Sequence, residues 1–186
     1  MRSLILGGAR SGKSAYAERL AIHSGKDVVY LATAQAGDVE MQARIAHHQA
    51  RRPSHWQLHE EQLALGASLR KLDRPNRIIL LDCMSLWLSN LLFADGRAYP
   101  EIGKIEPPPC FAEQRADFLA SMNDLHADLI MVSNEVGLGV IAMSAITRWY
   151  VDEAGRLNQA LAQASEQVVF VAAGLPLLLK GDKLPC

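Results

Sequence analysis

The sequence predicts an α/β fold built on a mostly parallel β-sheet with helices on both faces, and three observations predict it. Short, nearly continuous runs of Val, Ile and Leu recur along the chain, segments of helical periodicity separate them, and the first run feeds into a glycine-rich turn that opens a helix. Unbroken apolar runs are the mark of strands whose sheet is covered on both faces. Their alternation with helical segments implies crossover connections between parallel strands.

The expected strands are "SLILGG" (3–8), "DVVYLATA" (27–34), "RIILLDC" (77–83), "DLIMVSNEV" (128–136) and "QVVFVAAGLPLLL" (167–179). Helical spacing falls near 13–23, 38–52, 62–72, 84–95, 111–127 and 147–165. "HWQLHEE" (55–61) is short, an edge strand or a loop. The Pro- and Gly-rich stretch 94–111 reads as a long surface loop or lid, the kind of loop that is more often functional or disordered than structural.

With 186 residues, 49% of them hydrophobic and 21% charged, the chain suits one domain spanning 1–186. A net charge of −1 provides no global basic field, so nucleic acid and anionic membrane are not expected partners and any anion site must be local. Cys83, Cys110 and Cys186 are too scattered for a zinc site or a disulfide framework, and Cys83 reads as a packing residue. The N-terminus lacks the pattern of a secretory signal and no apolar run approaches the ~18 residues of a membrane span, which makes the cytoplasm the expected location.

"GGARSGKS" fits the phosphate-loop pattern G-x-x-x-x-G-K-[ST] and sits where that motif must, after a strand and before a helix. Its backbone N–H groups can curl around phosphate oxygens at a helix N-terminus. The whole turn, Gly7, Gly8, Ala9, Arg10, Ser11, Gly12, Lys13 and Ser14, is therefore assigned to nucleotide, with Lys13 on the β- and γ-phosphates and Ser14 on Mg²⁺. The motif also needs a carboxylate at the end of a neighbouring strand. Asp82, closing "IILLD", is the candidate metal ligand, and because a helical pattern starts right after it, the alternative is a helix N-cap.

"RIAHHQARRP" (44–53) raises a separate question. On a helix Glu40, Arg44, His48 and Arg52 form one stripe, while His47 points about 100° away. A solvated face with charge pairs is the plain reading. Against it, Arg44, Arg51 and Arg52 outnumber the local carboxylates, which suits an anionic ligand. A neutral imidazole, with an unperturbed pKa of about 6.5, is a competent nucleophile toward phosphorus, and nearby guanidinium groups keep it neutral.

Several stretches together resemble one family: "GGARSGKS", "LATAQ", the R-I-x-x-H-x-x-x-R-P pattern in 44–53, "HW" at 55–56, "LLDCMSLWLSNLL", "VSNEVGLG" and "GRLNQALA…GLPLLLK". The chain is similar, from Leu4 to about Lys180, to the bifunctional adenosylcobinamide kinases/adenosylcobinamide-phosphate guanylyltransferases of cobalamin biosynthesis. The resemblance implies phosphorylation of the aminopropanol hydroxyl of adenosylcobinamide by ATP or GTP, then transfer of GMP from GTP to that phosphate. It implies a guanylyl-histidine intermediate at His48 rather than His47, and nucleotide contacts from Arg51, Arg52 and Glu60. A RecA-like P-loop NTPase sheet with one antiparallel strand near its end, and a homotrimer, are also implied.

Asn134 and Glu135 follow a strand and can reach the same end of the sheet. Arg148 and Asp152, one helical turn apart, read first as a salt bridge, and Asn158 and Gln159 as structural. Ala142 stands where the family usually has proline, which leaves that loop less constrained, and 94–111 matches nothing in the family pattern. Two other readings stay open: a single-function P-loop kinase of a small alcohol, and a RecA-like ATPase module acting on nucleic acid, against which the net charge counts.

Overall fold

The computed structural model describes residues 1–34 and 53–182. The helix expected near 38–52, with Glu40, Arg44, His47, His48, Arg51 and Arg52, lies outside the described residues, as does Cys186. Seven strands form one sheet: β1 (Arg2–Gly7), β2 (Asp27–Ala32), β3 (Gln57–Glu60), β4 (Arg77–Asp82), β5 (Asp128–Asn134), β6 (Gln167–Ala172) and β7 (Leu175–Lys180). The described helices are α1 (Lys13–His23), α2 (Leu65–Leu72), α3 (Met84–Leu92), α4 (Pro109–Ser121) and α5 (Ala145–Ala164).

The sheet order is β3-β2-β4-β5-β1-β6-β7, parallel throughout except for the last pair. "HWQLHEE" supplies the edge strand of its two alternatives. The stretch 167–179 is not one strand, as its composition suggests, but a hairpin. Ala173 at φ 51° and Gly174 at φ 78° turn the chain in two residues and pair Ala172 with Leu175. Two successive left-handed residues match the twist of the flanking strands, and an all-apolar run conceals such a turn.

Strand alternation sorts the core into two layers. Ile5, Tyr30, Leu80, Val132 and Val171 point to the face covered by α1. Leu4, Leu31, Leu81, Met131 and Val168 point to the opposite face, against α2, α3, α4 and α5. Trp87 anchors that second layer: it is fully buried, its Nε1 donates to the Leu63 carbonyl at 2.9 Å, and its ring lies 5.2 Å from that of Phe118. On β7 the layer runs out. Leu178 packs toward α1, but Leu175, Leu177 and Leu179 are exposed along the outermost strand.

The long stretch before α4 is a loop, as expected, and its own contacts organise it. Arg97 pairs with Asp95 and donates to the Glu106 carbonyl at 2.9 Å, while Ile105 is buried. Trp87→Ala is expected to lower unfolding free energy by about 3–5 kcal/mol, the usual cost of deleting a large buried aromatic. Denaturant unfolding followed by far-UV circular dichroism would check it, and a loss below about 1 kcal/mol would mean that Trp87 does not anchor the layer.

Candidate functional site

β1 ends at Gly7 and the chain turns sharply before α1. A side chain at Gly7 is impossible, since a Cβ there would lie 2.5 Å from both Ser11 Oγ and the Val171 carbonyl. Gly12 has φ +94° and its Cβ position is 3.1 Å from Gly174 Cα, so conformation and packing both demand glycine. The hairpin supports the turn from behind, where Gly174 N–H donates to Ser11 O at 2.8 Å. Gly12 is the N-cap of α1 and offers no side-chain cap, which leaves the first-turn N–H groups to an external anion.

Lys13 is only 8% exposed, and its Nζ donates to the Gly8 carbonyl at 3.1 Å, folding back across the turn. Burial pushes its pKa down from 10.5, and the Asp82 carboxylate partly opposes that shift. A phosphate would give this desolvated ammonium a full negative charge in place of a carbonyl dipole. Ser14 follows it in the first turn of α1.

The carboxylate partner is not on a strand next to β1: β5 lies between β1 and β4. Two strand spacings, roughly 10 Å, separate the end of β1 from Asp82. That gap leaves room for a phosphate and a hydrated cation where a direct neighbour would hold a tight Lys–Asp pair. The capping alternative for Asp82 fails. The N-cap of α3 is Cys83, without a side-chain capping bond, and Asp82 Oδ2 instead accepts from Tyr30 Oη at 3.1 Å.

A polar web fixes the turn behind Asp82. Thr33 Oγ1 accepts from Cys83 N and donates to Cys83 O, each at 2.9 Å. Asn90 Nδ2 donates to Thr33 O at 2.8 Å and to Gln62 O at 3.2 Å. Ser85 Oγ accepts from Asn134 Nδ2 at 2.7 Å and lies 3.3 Å from Cys83 Sγ. Tyr150 Oη donates to Ser85 O at 2.7 Å, and burial pushes its pKa to about 12. Burial and then the Asp82 charge push the Cys83 thiol up, so it is no thiolate nucleophile.

Other expected residues fall as follows. Glu135 N–H donates to Gly7 O at 3.1 Å, joining the end of β5 to the phosphate turn, and its carboxylate accepts from Gly137 N at 2.7 Å. Arg148 does not pair with Asp152. Its guanidinium donates to the carbonyls of Ala142, at 3.1 Å, and Met143, because those carbonyls are left free by the irregular loop beside it. Asn158 is structural, bonded to Ser133 Oγ at 2.7 Å and to Asn134 O at 3.2 Å.

Glu60 is exposed at the end of β3, four strand spacings (roughly 19 Å) from β1. Its neighbour Glu61 instead braces the turn that leads into α2, its carboxylate accepting from Leu63 N and Ala64 N at 2.9 Å each. Tyr30 and Tyr150 lie outside the quoted motifs, and Thr33, Ser85 and Asn90, although inside "LATAQ" and "LLDCMSLWLSNLL", carry no role that the motifs assign. Tyr30 was detectable, as the one hydroxyl in the run "DVVYLA", but only the strand register aims it at Asp82.

The family model of cobinamide kinase / cobinamide phosphate guanyltransferase matches residues 3–179. The chain belongs to this family. It is 52% identical over 99% of its length to the bifunctional adenosylcobalamin biosynthesis protein CobP of Pseudomonas aeruginosa, all of which it covers. It is 37% and 38% identical over 97% of its length to the proteins named CobU of Escherichia coli and Salmonella typhimurium, again covering 100% of each.

Among solved structures it is similar to two type III secretion ATPases. One, from pathogenic bacteria, has a TM-score of 0.50 at 13% identity over 95% of this chain and 56% of that one. EscN of enteropathogenic E. coli has 0.51 at 12% over 92% and 43%. At such identity the likeness concerns the fold alone: a RecA-like P-loop NTPase sheet, as the cobinamide kinase family resemblance implied.

Because the free Lys13 ammonium is destabilised by burial, it loses its proton below the ordinary lysine value of 10.5. The charged form is the one that holds phosphate, so nucleotide affinity is expected to begin falling as pH rises past that lowered pKa. Titration with a fluorescent GTP analogue across the alkaline range would show it, and an affinity that stayed flat up to the ordinary lysine pKa would contradict it.

Proposed function

We propose that this chain phosphorylates adenosylcobinamide with a nucleoside triphosphate and then transfers GMP from GTP to the new phosphate through a guanylyl group on His48. The observation that carries the nucleotide half is the desolvated Lys13 in the phosphate turn, facing Asp82 across an intervening strand. Family membership supports the pairing of two transfers in one chain. His48 rests on sequence: a neutral imidazole among Arg44, Arg51 and Arg52 suits attack on an α-phosphorus.

In the kinase step the substrate hydroxyl attacks the γ-phosphorus, the bond to the β–γ bridging oxygen breaks, and the nucleoside diphosphate leaves as the hydroxyl proton passes to solvent. In the second sequence an imidazole nitrogen of His48 attacks the α-phosphorus of GTP, the α–β bridge breaks and pyrophosphate leaves. The cobinamide phosphate oxygen then attacks the same phosphorus, the P–N bond breaks and neutral imidazole returns. Lys13 and the α1 N-terminus balance charge on the phosphates in both sequences.

Ser14 and Asp82 fit Mg²⁺. One hydroxyl and one carboxylate are hard oxygen donors, and among the described residues there is no cluster of three or more His, Cys, Asp or Glu that would suit a softer or fully caged ion. Bound there with phosphate oxygens and water, the ion would neutralise charge on the phosphates. Glu60 is assigned to the nucleotide by the family resemblance, and its place at the end of β3, four strands from β1, would suit the nucleoside rather than the phosphates. The exposed Leu175, Leu177 and Leu179 on the outermost strand favour assembly of copies, consistent with a homotrimer. Among the described residues no helix is long and apolar enough to cross a membrane, and a cytoplasmic location fits the reading.

GTP labelled at the α-phosphate is expected to give an acid-labile, base-stable protein adduct, lost in His48→Ala and kept in His47→Ala. Normal labelling of His48→Ala would sink the assignment and leave a kinase alone. Lys13→Ala is expected to impair both half-reactions, and loss of only the kinase step would indicate separate nucleotide sites.

A further inference from the structure

The loop from Val136 to Ser144 carries no charged side chain, yet its aliphatic residues stand in solvent: Leu138 is 80% exposed, Val140 99%, Ile141 85% and Met143 93%. Ile102, in the loop before α4, is 86% exposed, and the bond from Ala145 N to Glu101 O, at 2.9 Å, brings that loop to the far end of this one. Both ends are held. Glu135 N–H is bonded to Gly7 O of the phosphate turn, and Arg148 grips the carbonyls of Ala142 and Met143. An anchored, uncharged apolar surface beside a phosphate site is a place for a ligand rather than a scatter of surface residues.

We propose that Ile102, Leu138, Val140, Ile141 and Met143 form an apolar shelf that receives the corrin macrocycle of the substrate while its hydroxyl arm reaches into the phosphate turn. The inference rests on the cobinamide reading above and adds where the ring sits. The chemistry of the shelf selects the occupant. Aliphatic side chains without donors or acceptors cannot read a nucleobase, and they offer nothing to phosphate. A reduced macrocycle rimmed with methyl groups and neutral amides matches them.

The position agrees. The shelf leaves the end of β5, the strand between the phosphate turn and Asp82, and the bond from Glu135 N to Gly7 O ties the start of its loop to that turn, so a ring resting on it would lie on the side of the sheet edge where phosphate binds. A second copy of the chain is a poorer occupant, because the exposed leucines of β7 already supply an apolar strip on the outermost strand of the sheet.

The test uses the full chain and cobinamide as coloured probe, with affinity read by equilibrium dialysis. The triple variant Leu138→Ser/Val140→Ser/Ile141→Ser is expected to weaken cobinamide binding by about tenfold or more. The conservative triple Leu138→Met/Val140→Ile/Ile141→Val should restore it. Val140→Ser alone, at a side chain wholly in solvent, should weaken binding in the same direction and keeps the result readable if the triple change disturbs folding.

Self-labelling by α-labelled GTP and molar mass by light scattering accompany each measurement, and both should match the native protein. Cobinamide affinity equal to native would overturn the shelf. So would a fall in molar mass, which would make this surface a contact between copies. A native protein that bound no cobinamide would instead remove the substrate reading itself, and the shelf with it.

Discussion

The position of β5 is the constraint on which the site depends. By entering the sheet between β1 and β4, it separates the phosphate turn from Asp82 by two strand spacings while keeping both at the same edge. Side by side, Lys13 and Asp82 would neutralise each other. Held apart, they leave a gap with a cation donor on one side and an oxygen donor on the other. β5 also fastens this arrangement, through Glu135 N–H to Gly7 O and through Asn134 to Ser85. It then launches the uncharged loop from Val136 to Ser144.

Charge inside this edge is handled by desolvation on one side and hydrogen bonding on the other. Among the described residues Lys13 is buried with its ammonium bonded to the Gly8 carbonyl and the Asp82 carboxylate partly opposing its desolvation, so the free protein holds it at a cost that a bound phosphate offsets. Asp82 is fixed by the Tyr30 hydroxyl, and the turn after it by Thr33, Ser85, Asn90 and Tyr150. Asn90 does a second thing: its amide bridges Thr33 and Gln62, which flank the stretch that contains His48. A preorganised edge of this kind suits phosphoryl chemistry, where positioning and electrostatics carry most of the rate.

Elements with local causes were legible in the sequence. Gly7, Gly12, Lys13 and Ser14 follow from a motif whose spacing is set by loop geometry, and the parallel strands follow from their apolar runs. Features set by tertiary placement were not. The turn at Ala173–Gly174 hides in an apolar run because its signal is backbone conformation, not polarity. Asp82 reads as a metal ligand with a helix cap as the alternative, and the cap drops out only when the structure puts Cys83 at the N-cap and Tyr30 on the carboxylate. Arg148 reads as a partner of Asp152 because helical spacing is visible in sequence, whereas free carbonyls in a neighbouring loop are not.

One phosphate turn serving both transfers is the central claim, since Lys13 sits in the single glycine-built cradle among the described residues. Counting nucleotide sites tests it most directly. Equilibrium dialysis of non-hydrolysable GTP and ATP analogues against the His48→Ala protein should give one site per chain, for which the two analogues compete. Two sites per chain, filled independently, would contradict it.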